Sequence, residues 1–237
     1  MNLDPGFIWT ALRSLLQAVP TTLAITAVSS LCGLLLGTVT ALLRIYRVPL
    51  LGQASSAYVT FIRGTPMLTH LLLIYFGLPL LIDGPLAGAG LPVRSAMIPM
   101  IGFAYIAFSI TAGAYLSEVV RAGIQAVDRG QMEAGLAVGM TTGQALRRIV
   151  LPQAMAASVP NLSNSVIGML HASSLAFTVS VVDINAQAQI VASTNWRYFE
   201  AYLAAAILYW GMTLALERLA ALVERRISLY NRGGVSS

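Results

Sequence analysis

Three features of the sequence predict an all-α polytopic membrane protein with five transmembrane helices. Of its 237 residues, 57% are hydrophobic and only 10% charged, against about 25% charged in soluble domains. The apolar residues gather into five runs, each close to the roughly 20 residues that a helix needs to cross a bilayer. Those runs are continuous and not alternating. That excludes a β-barrel, the other fold that satisfies every backbone polar group in lipid.

The chain opens with a lead, residues 1–19, weakly amphipathic through Phe7, Ile8, Trp9, Leu12, Leu15 and Leu16. Trp9 suits a membrane interface. The lead has neither a basic start nor a small-residue cleavage site, so no cleavable signal peptide is expected. The first span, 20–43, is rich in Gly, Ala, Ser and Thr, which let helices approach closely. Cys32, the single cysteine, lies inside it and serves packing or faces lipid. Arg44 and Arg47 follow the span directly.

The second span, 57–82, contains Gly64 and Pro66, which imply a break whose backbone groups neighbours must satisfy. Arg63 beside the break reads either as a gate or substrate contact, or as an arginine reaching for the interface; the second is the commoner case. A Gly- and Pro-rich loop, 83–94, leads to the third span, 95–117. Glu118 and Arg121 after it share a helix face and read as an ion pair at the membrane boundary.

The fourth span, 156–182, carries Asn161, Asn164, His171, Ser173 and Ser174, with Asp183 just beyond. Singly, each such group makes an interhelical hydrogen bond worth on the order of 1 kcal/mol. Together they should not face lipid, so this helix is expected to line a subunit interface or a wet cavity. A polar loop, 185–197, precedes the fifth span, 199–222, which starts at an aromatic belt of Trp196, Tyr198 and Tyr202. The expected organisation is thus an extracytoplasmic lead (1–19), a five-span membrane domain (20–222) and a cytoplasmic tail (223–237).

All fourteen basic residues are arginine. Put the loops after spans one and three and the tail on one side, and eleven arginines fall there against Arg13, Arg94 and Arg197 on the other. The positive-inside rule then sets the N-terminus outside and the C-terminus in the cytoplasm. The arginines are scattered, so the net charge of +5 speaks for topology and not for nucleic acid.

Residues 130–152, GQMEAGLAVGMTTGQALRRIVLP, form the longest soluble-looking interruption. Residues 133–137 predict a short helix of small residues with the Glu133 carboxylate near its positive end. Gly139 permits a positive-φ turn at the helix end. A second short helix carries Arg147 and Arg148 and is expected to end at Pro152. A small-faced helix of this kind suits docking to another protein, not catalysis.

Glu133-Ala134-Gly135, Gly139, Ile149 and Leu151-Pro152 carry a spaced pattern that resembles the EAA loop of ABC importer membrane subunits. Gly135 stands where that pattern has its second alanine. The resemblance implies a cytoplasmic coupling helix, with Gly130, Glu133, Ala134, Gly135, Gly139, Leu151 and Pro152 at the ATPase contact. Phe61-Ile62-Arg63-Gly64-Thr65-Pro66, Tyr75-Phe76-Gly77-Leu78-Pro79 and Pro160-Asn161 with Asn164 are similar to the polar amino acid branch of these permeases, which handles histidine, arginine, glutamine and cystine.

What that branch implies is a second permease subunit, identical or related, a dimer of ABC ATPase subunits, an extracytoplasmic amino-acid-binding protein and a bacterial inner membrane. The implied substrate pathway is Arg63, Thr111, Asn161, Asn164, His171, Ser173 and Ser174. Ala172 stands where relatives often carry Asp, so the expected substrate is a neutral polar amino acid such as cystine. Histidine or another basic amino acid is the alternative. There is no GxxxxGK[ST] phosphate loop, no nucleophile–base set and no metal cluster in the sequence. The subunit itself is thus expected to be no enzyme and to hold no cofactor, with ATP and Mg in the partner ATPase. An ATP-independent secondary transporter, the rival class, would need internal repeats and buried coupling carboxylates.

Overall fold

In the computed structural model, residues 3–86, 88 and 94–232 are described. They form ten α-helices joined by short 3₁₀ and π turns, with five helical stretches long and apolar enough to cross a membrane. The first stretch is α1 (Pro5–Leu15), a 3₁₀ turn and α2 (Val19–Ile45), so the lead is helical and runs into the first span. Asp4 caps α1 by accepting from the N–H groups of Gly6 and Phe7 at 2.9 and 3.1 Å.

The expected second span divides. Residues 57–63 belong to α3 (Leu51–Arg63), and only α4 (Met67–Leu81), which a π turn extends, is long and apolar enough to cross. The division falls at Gly64, Thr65 and Pro66, since Pro66 pushes the residue before it out of the helical region and itself stands extended, at φ −67 and ψ 141. The loop 83–94 is clasped by Asp83, whose carboxylate accepts from the Ser95 N–H at 2.7 Å and from the Ser95 hydroxyl. Residues 87 and 89–93 of that loop, and 233–237 of the tail, lie outside the described residues.

The third crossing helix, α5 (Met100–Gln125), begins after Pro99 and outruns the expected end at residue 117. After α6 (Arg129–Ala137) and the single turn α7 (Thr142–Ala145), a π turn leads into α8 (Leu151–Ala172) and a 3₁₀ turn, one run from Thr142 to Val179. Pro152 therefore opens α8 instead of ending a helix. The π turn Leu146–Val150 stands directly before α8, the kind of local adjustment that goes with a proline inside a helical run. The expected polar loop 185–197 is mostly a helix, α9 (Ile184–Asn195), whose alanines Ala188 and Ala192 are fully buried. The last helix, α10 (Tyr198–Arg232), continues past residue 222.

The core pair is α2 against α5. Ser29, Gly33, Gly37 and Ala41 recur every four residues on α2, and all are buried. A Cβ at Gly37 would stand 2.8 Å from both the Gly113 carbonyl oxygen and the Ser117 nitrogen. The backbones touch there, and only glycine fits. At one end of the pair, Arg44 meets Glu118; away from it, at the start of α1, Asp4 pairs with Arg197 at 3.1 Å. Cys32 is exposed on α2 and carries none of this packing.

Gly37→Val is expected to force α2 off α5 and to cost about 1–3 kcal/mol, lowering the thermal unfolding midpoint by roughly 2–10 °C. Thermal unfolding in detergent, beside Gly77→Val, where a Cβ meets nothing within 4 Å, checks it; equal shifts would remove the close-approach account.

Candidate functional site

Two regions bring chemistry-bearing residues together: a cavity against α5 and α8, and the α6–α7 loop. The cavity holds about 450 Å³, within the range of small-molecule sites at about 300–1,000 Å³. Asn161, Asn164 and Ser165 of α8 line it, with Ala112 and Tyr115 of α5 and Met67 at the start of α4. The spacing of 161, 164 and 165 puts these polar groups on one face of α8. No carboxylate, histidine, lysine or arginine lines the cavity among the described residues. Arg63 stands beside it, its guanidinium carbon 5.8 Å from the centre of the Tyr115 ring. Asn161, Asn164 and Tyr115 are exposed in the single chain, so the wall is open.

Of the pathway residues expected from the sequence, Asn161 and Asn164 meet at this wall and Arg63 adjoins it. The structure does not bring the others there. Thr111 is fully buried outside the cavity wall, donating to the Ala107 carbonyl at 2.9 Å and standing 3.1 Å from His70 Nδ1. Ser173 is buried and donates to the Leu170 carbonyl at 2.7 Å. Ser174 donates to the His171 carbonyl at 2.7 Å, and His171 Nε2 lies 3.0 Å from the Thr213 hydroxyl on α10. Ala172 is not part of the cavity wall either.

Both carboxylates near the membrane domain's polar residues are already engaged. Asp183, fully buried, caps α9 by accepting from the Ala186 N–H at 2.9 Å, and accepts from the Tyr209 hydroxyl at 3.2 Å. Glu118 accepts from Arg44 and, at 2.6 Å, from Arg121, the boundary ion pair expected of it with a second partner added.

The loop is rigid by local bonding. Asp128, not Glu133, stands at the start of α6, where its carboxylate accepts from the Gly130 N–H at 2.7 Å. Glu133 lies a full turn inside the helix because α6 begins four residues earlier than expected. Gly139 ends α6 at φ +85, with its N–H on the Leu136 carbonyl at 3.0 Å and the Met140 N–H on Gly135 at 3.1 Å. These two bonds make a Schellman end. Thr141 and Gln144 then form a reciprocal capping box. Gly135 is buried, and a Cβ there would meet Ile149 Cδ1 at 2.9 Å and Ala145 Cβ at 3.1 Å. That face of α6 packs on the loop's own second half. Glu133, Ala134, Leu136 and Val138 are left exposed, Val138 by 75%.

Residues 33–229 match the family described as "Binding-protein-dependent transport system inner membrane component". The chain belongs to this family. It is 39% identical, over 96% of its own length and 98% of the other's, to the "Probable amino-acid ABC transporter permease protein PatM" of Vibrio harveyi. It is 35% identical to the "L-cystine transport system permease protein TcyL" of Bacillus subtilis, over 94% of this chain and 91% of the other. Its fold is similar, at a TM-score of 0.80 and 35% identity, to a chain from the "Crystal structure of an amino acid ABC transporter with histidines", covering 95% of this chain and all of that one. The resemblance drawn from the spaced loop pattern and the FIRGTP segment is thereby shown.

Sequence reasoning missed several residues of this permease. His70, 4% exposed, bridges the helix break, with Nε2 2.6 Å from the Thr65 hydroxyl and Nδ1 on Thr111. Only its place five residues after Thr65 hinted at this. Tyr115 and Ala112 stand beside Thr111 in the sequence, but only Thr111 was expected in the pathway. The cap at Asp128 was legible, as an Asp two residues ahead of Gly130.

Gly139→Val should strain the Schellman end, because a left-handed L-residue costs about 1–2 kcal/mol. Nothing lies within 4 Å of a Cβ there, so bulk is not the cause. Amide hydrogen exchange at Gly139-flanking Met140 and Val138 is expected to quicken by about tenfold, while Gly143→Val, also unobstructed, leaves those two amides unchanged. Equal exchange in both variants would contradict the assignment.

Proposed function

We propose that this permease is the membrane subunit of an ATP-driven importer that carries a net-neutral polar amino acid, of which cystine is an example. The observation that carries the proposal is the cavity wall. It offers the amides of Asn161 and Asn164 and the Ser165 hydroxyl, and no carboxylate. Glu118 and Asp183, the two acids able to supply one, are held by Arg44 and Arg121 and by the α9 N-terminus. A guanidinium or ammonium group leaving water beside such a wall would go unpaired, a cost of several kcal/mol, or about a hundredfold in affinity. Arg63, beside Tyr115, adds repulsion for a cation and a partner for the substrate's carboxylate. Relatives between 30% and 35% identical carry names for cystine, nopaline, octopine and arginine transport, so identity alone separates no substrate.

On this reading the exposed asparagines of α8 face a second permease subunit, since polar groups in a span avoid lipid. The exposed face of α6, Glu133, Ala134, Leu136 and Val138, docks on an ATPase subunit that holds the ATP and Mg, and an extracytoplasmic binding protein delivers the amino acid. The eleven-to-three split of arginines supports a cytoplasmic C-terminus and an outside N-terminus in a bacterial inner membrane. ATP binding and release in the partner would shift the cavity between outward and inward access, as a ligand with different affinities for two states shifts their populations.

ATPase stimulation or uptake by the reconstituted complex, measured with cystine, glutamine and arginine, tests the substrate. Cystine or glutamine should drive the native complex at least about tenfold better than arginine, and Asn164→Asp should narrow that ratio. A native preference for arginine would sink the neutral-substrate reading.

Docking has its own test. Leu136→Asp with Val138→Asp puts two charges on the exposed α6 face without touching the buried Gly135 face. The ATPase should then no longer co-purify, while the permease still inserts. Undiminished co-purification would place the ATPase contact elsewhere.

A further inference from the structure

A second cavity, about 690 Å³, lies where α2 and α5 end and where α3 and α6 begin. Four arginines line it: Arg44 from α2, Arg47 from the α2–α3 turn, Arg121 from α5 and Arg129 from α6. Ser56 and Gln125 complete its polar wall. One carboxylate serves this group, and Glu118 spends it on Arg44 and Arg121. Arg44 also donates to Ser56 at 3.2 Å, and Arg121 to Gln125 at 2.7 Å. Arg47 and Arg129 have no side-chain hydrogen bond or ion pair among the described residues.

The site is therefore half satisfied. Two guanidiniums are fixed in place by Glu118, Ser56 and Gln125, and two converge on the same space unpaired. Like charges gathered in one concavity focus a positive field there. Arg47 is held there at φ 49, a left-handed conformation that few non-glycine residues adopt. Strain of that kind persists only where the surrounding structure imposes it. The planar fork of arginine matches a phosphate group, which it binds through two parallel hydrogen bonds. Beside the cavity, the same turn exposes Tyr46 by 66%, Leu50 by 79% and Leu51 by 56%. A basic pocket bordered by outward apolar side chains at a helix end is the chemistry that holds an acidic lipid headgroup with its chains alongside.

We propose that this four-arginine cavity binds a phosphate-bearing anion, supplied by the headgroup of an acidic phospholipid. The bound phosphate would neutralise Arg47 and Arg129 and tie the first residue of α6 to the ends of α2 and α5. The site is separate from the amino-acid cavity and does not depend on which amino acid is carried.

Native mass spectrometry of the full chain in neutral detergent tests this, with cardiolipin, phosphatidylcholine or inorganic pyrophosphate added in turn. Cardiolipin should be retained about tenfold over phosphatidylcholine. Arg47→Ala/Arg129→Ala should lose that excess, and Arg47→Lys/Arg129→Lys, which keeps the charge without the fork, should retain part of it. Arg147→Ala/Arg148→Ala removes the same charge from an exposed stretch outside the cavity and should leave retention unchanged. Should the alanine pair fail to fold, Arg47→Gln/Arg129→Gln replaces it. Pyrophosphate bound by the native chain and not by the alanine pair, with no preference for cardiolipin, would assign the phosphate chemistry to a soluble ligand and overturn the lipid source. Equal cardiolipin retention by the native chain and the alanine pair, or equal loss in Arg147→Ala/Arg148→Ala, would overturn the site.

Discussion

The close approach of α2 and α5 is the contact on which the rest of this permease depends. Inside a bilayer, lipid tails are as apolar as leucine, so helices gain little from hiding apolar surface against one another. Association must come from close packing and from polar contacts. Gly33 and Gly37 supply the first by letting backbone meet backbone at Ala112, Gly113 and Ser117. Arg44 with Glu118, and the Tyr58 hydroxyl donating to the Ile110 carbonyl, supply the second. The approach of α8 to α5 repeats the device, with Gly123 directly against Ser158 and Ala154. With α2 and α8 fixed against α5, Tyr115 is left exposed on α5 to line the cavity, and Ala112 adjoins it at the edge of the α2 contact.

That geometry explains which parts of the permease were legible in the sequence. Length and hydropathy find five crossings because the bilayer imposes one thickness on all of them. The loop was legible because Gly139 must take a positive φ and Gly135 must pack without a side chain against Ile149. The faces of the spans were not. Thr111, Ser173 and Ser174 are hydroxyl-bearing residues in apolar helices, and a serine or threonine there satisfies itself on a carbonyl three or four residues back. Such a residue carries no signal of whether it faces a cavity or a neighbouring helix. Asparagine cannot do this so neatly, and Asn161 and Asn164 are the expected residues that do reach the cavity. Pro152 misled for a related reason: a proline marks a helix boundary without saying whether it lies before or after it.

The loop is joined to the membrane helices with little slack. Three residues separate the end of α5 at Gln125 from the start of α6 at Arg129, and Asp128 among them caps α6. On its other side, α7, the π turn and α8 form one continuous run that carries Asn161 and Asn164. Between these two connections, Gly135 seats α6 on Ala145 and Ile149. A displacement of α6 is thus passed to α5 and α8 together, the two helices that supply most of the cavity wall. Under the proposed function, this is how an event at the exposed face of α6 reaches the amino acid.

Under the proposed function, the placement of charge would also give that coupling its selectivity. A membrane protein has few acids to spend, and this permease has nine among 237 residues. Glu118 holds the ends of α2 and α5, Asp128 and Asp183 cap helices, and Asp83 closes a loop. Each of these is a structural use. The cavity against α5 and α8 is left with amides and hydroxyls, groups that both donate and accept hydrogen bonds. Such a wall can meet the ammonium and the carboxylate of a zwitterion alike, but it cannot neutralise one extra positive charge. Discrimination then rests on what the substrate's side chain leaves unpaired, and that penalty is largest for a cation.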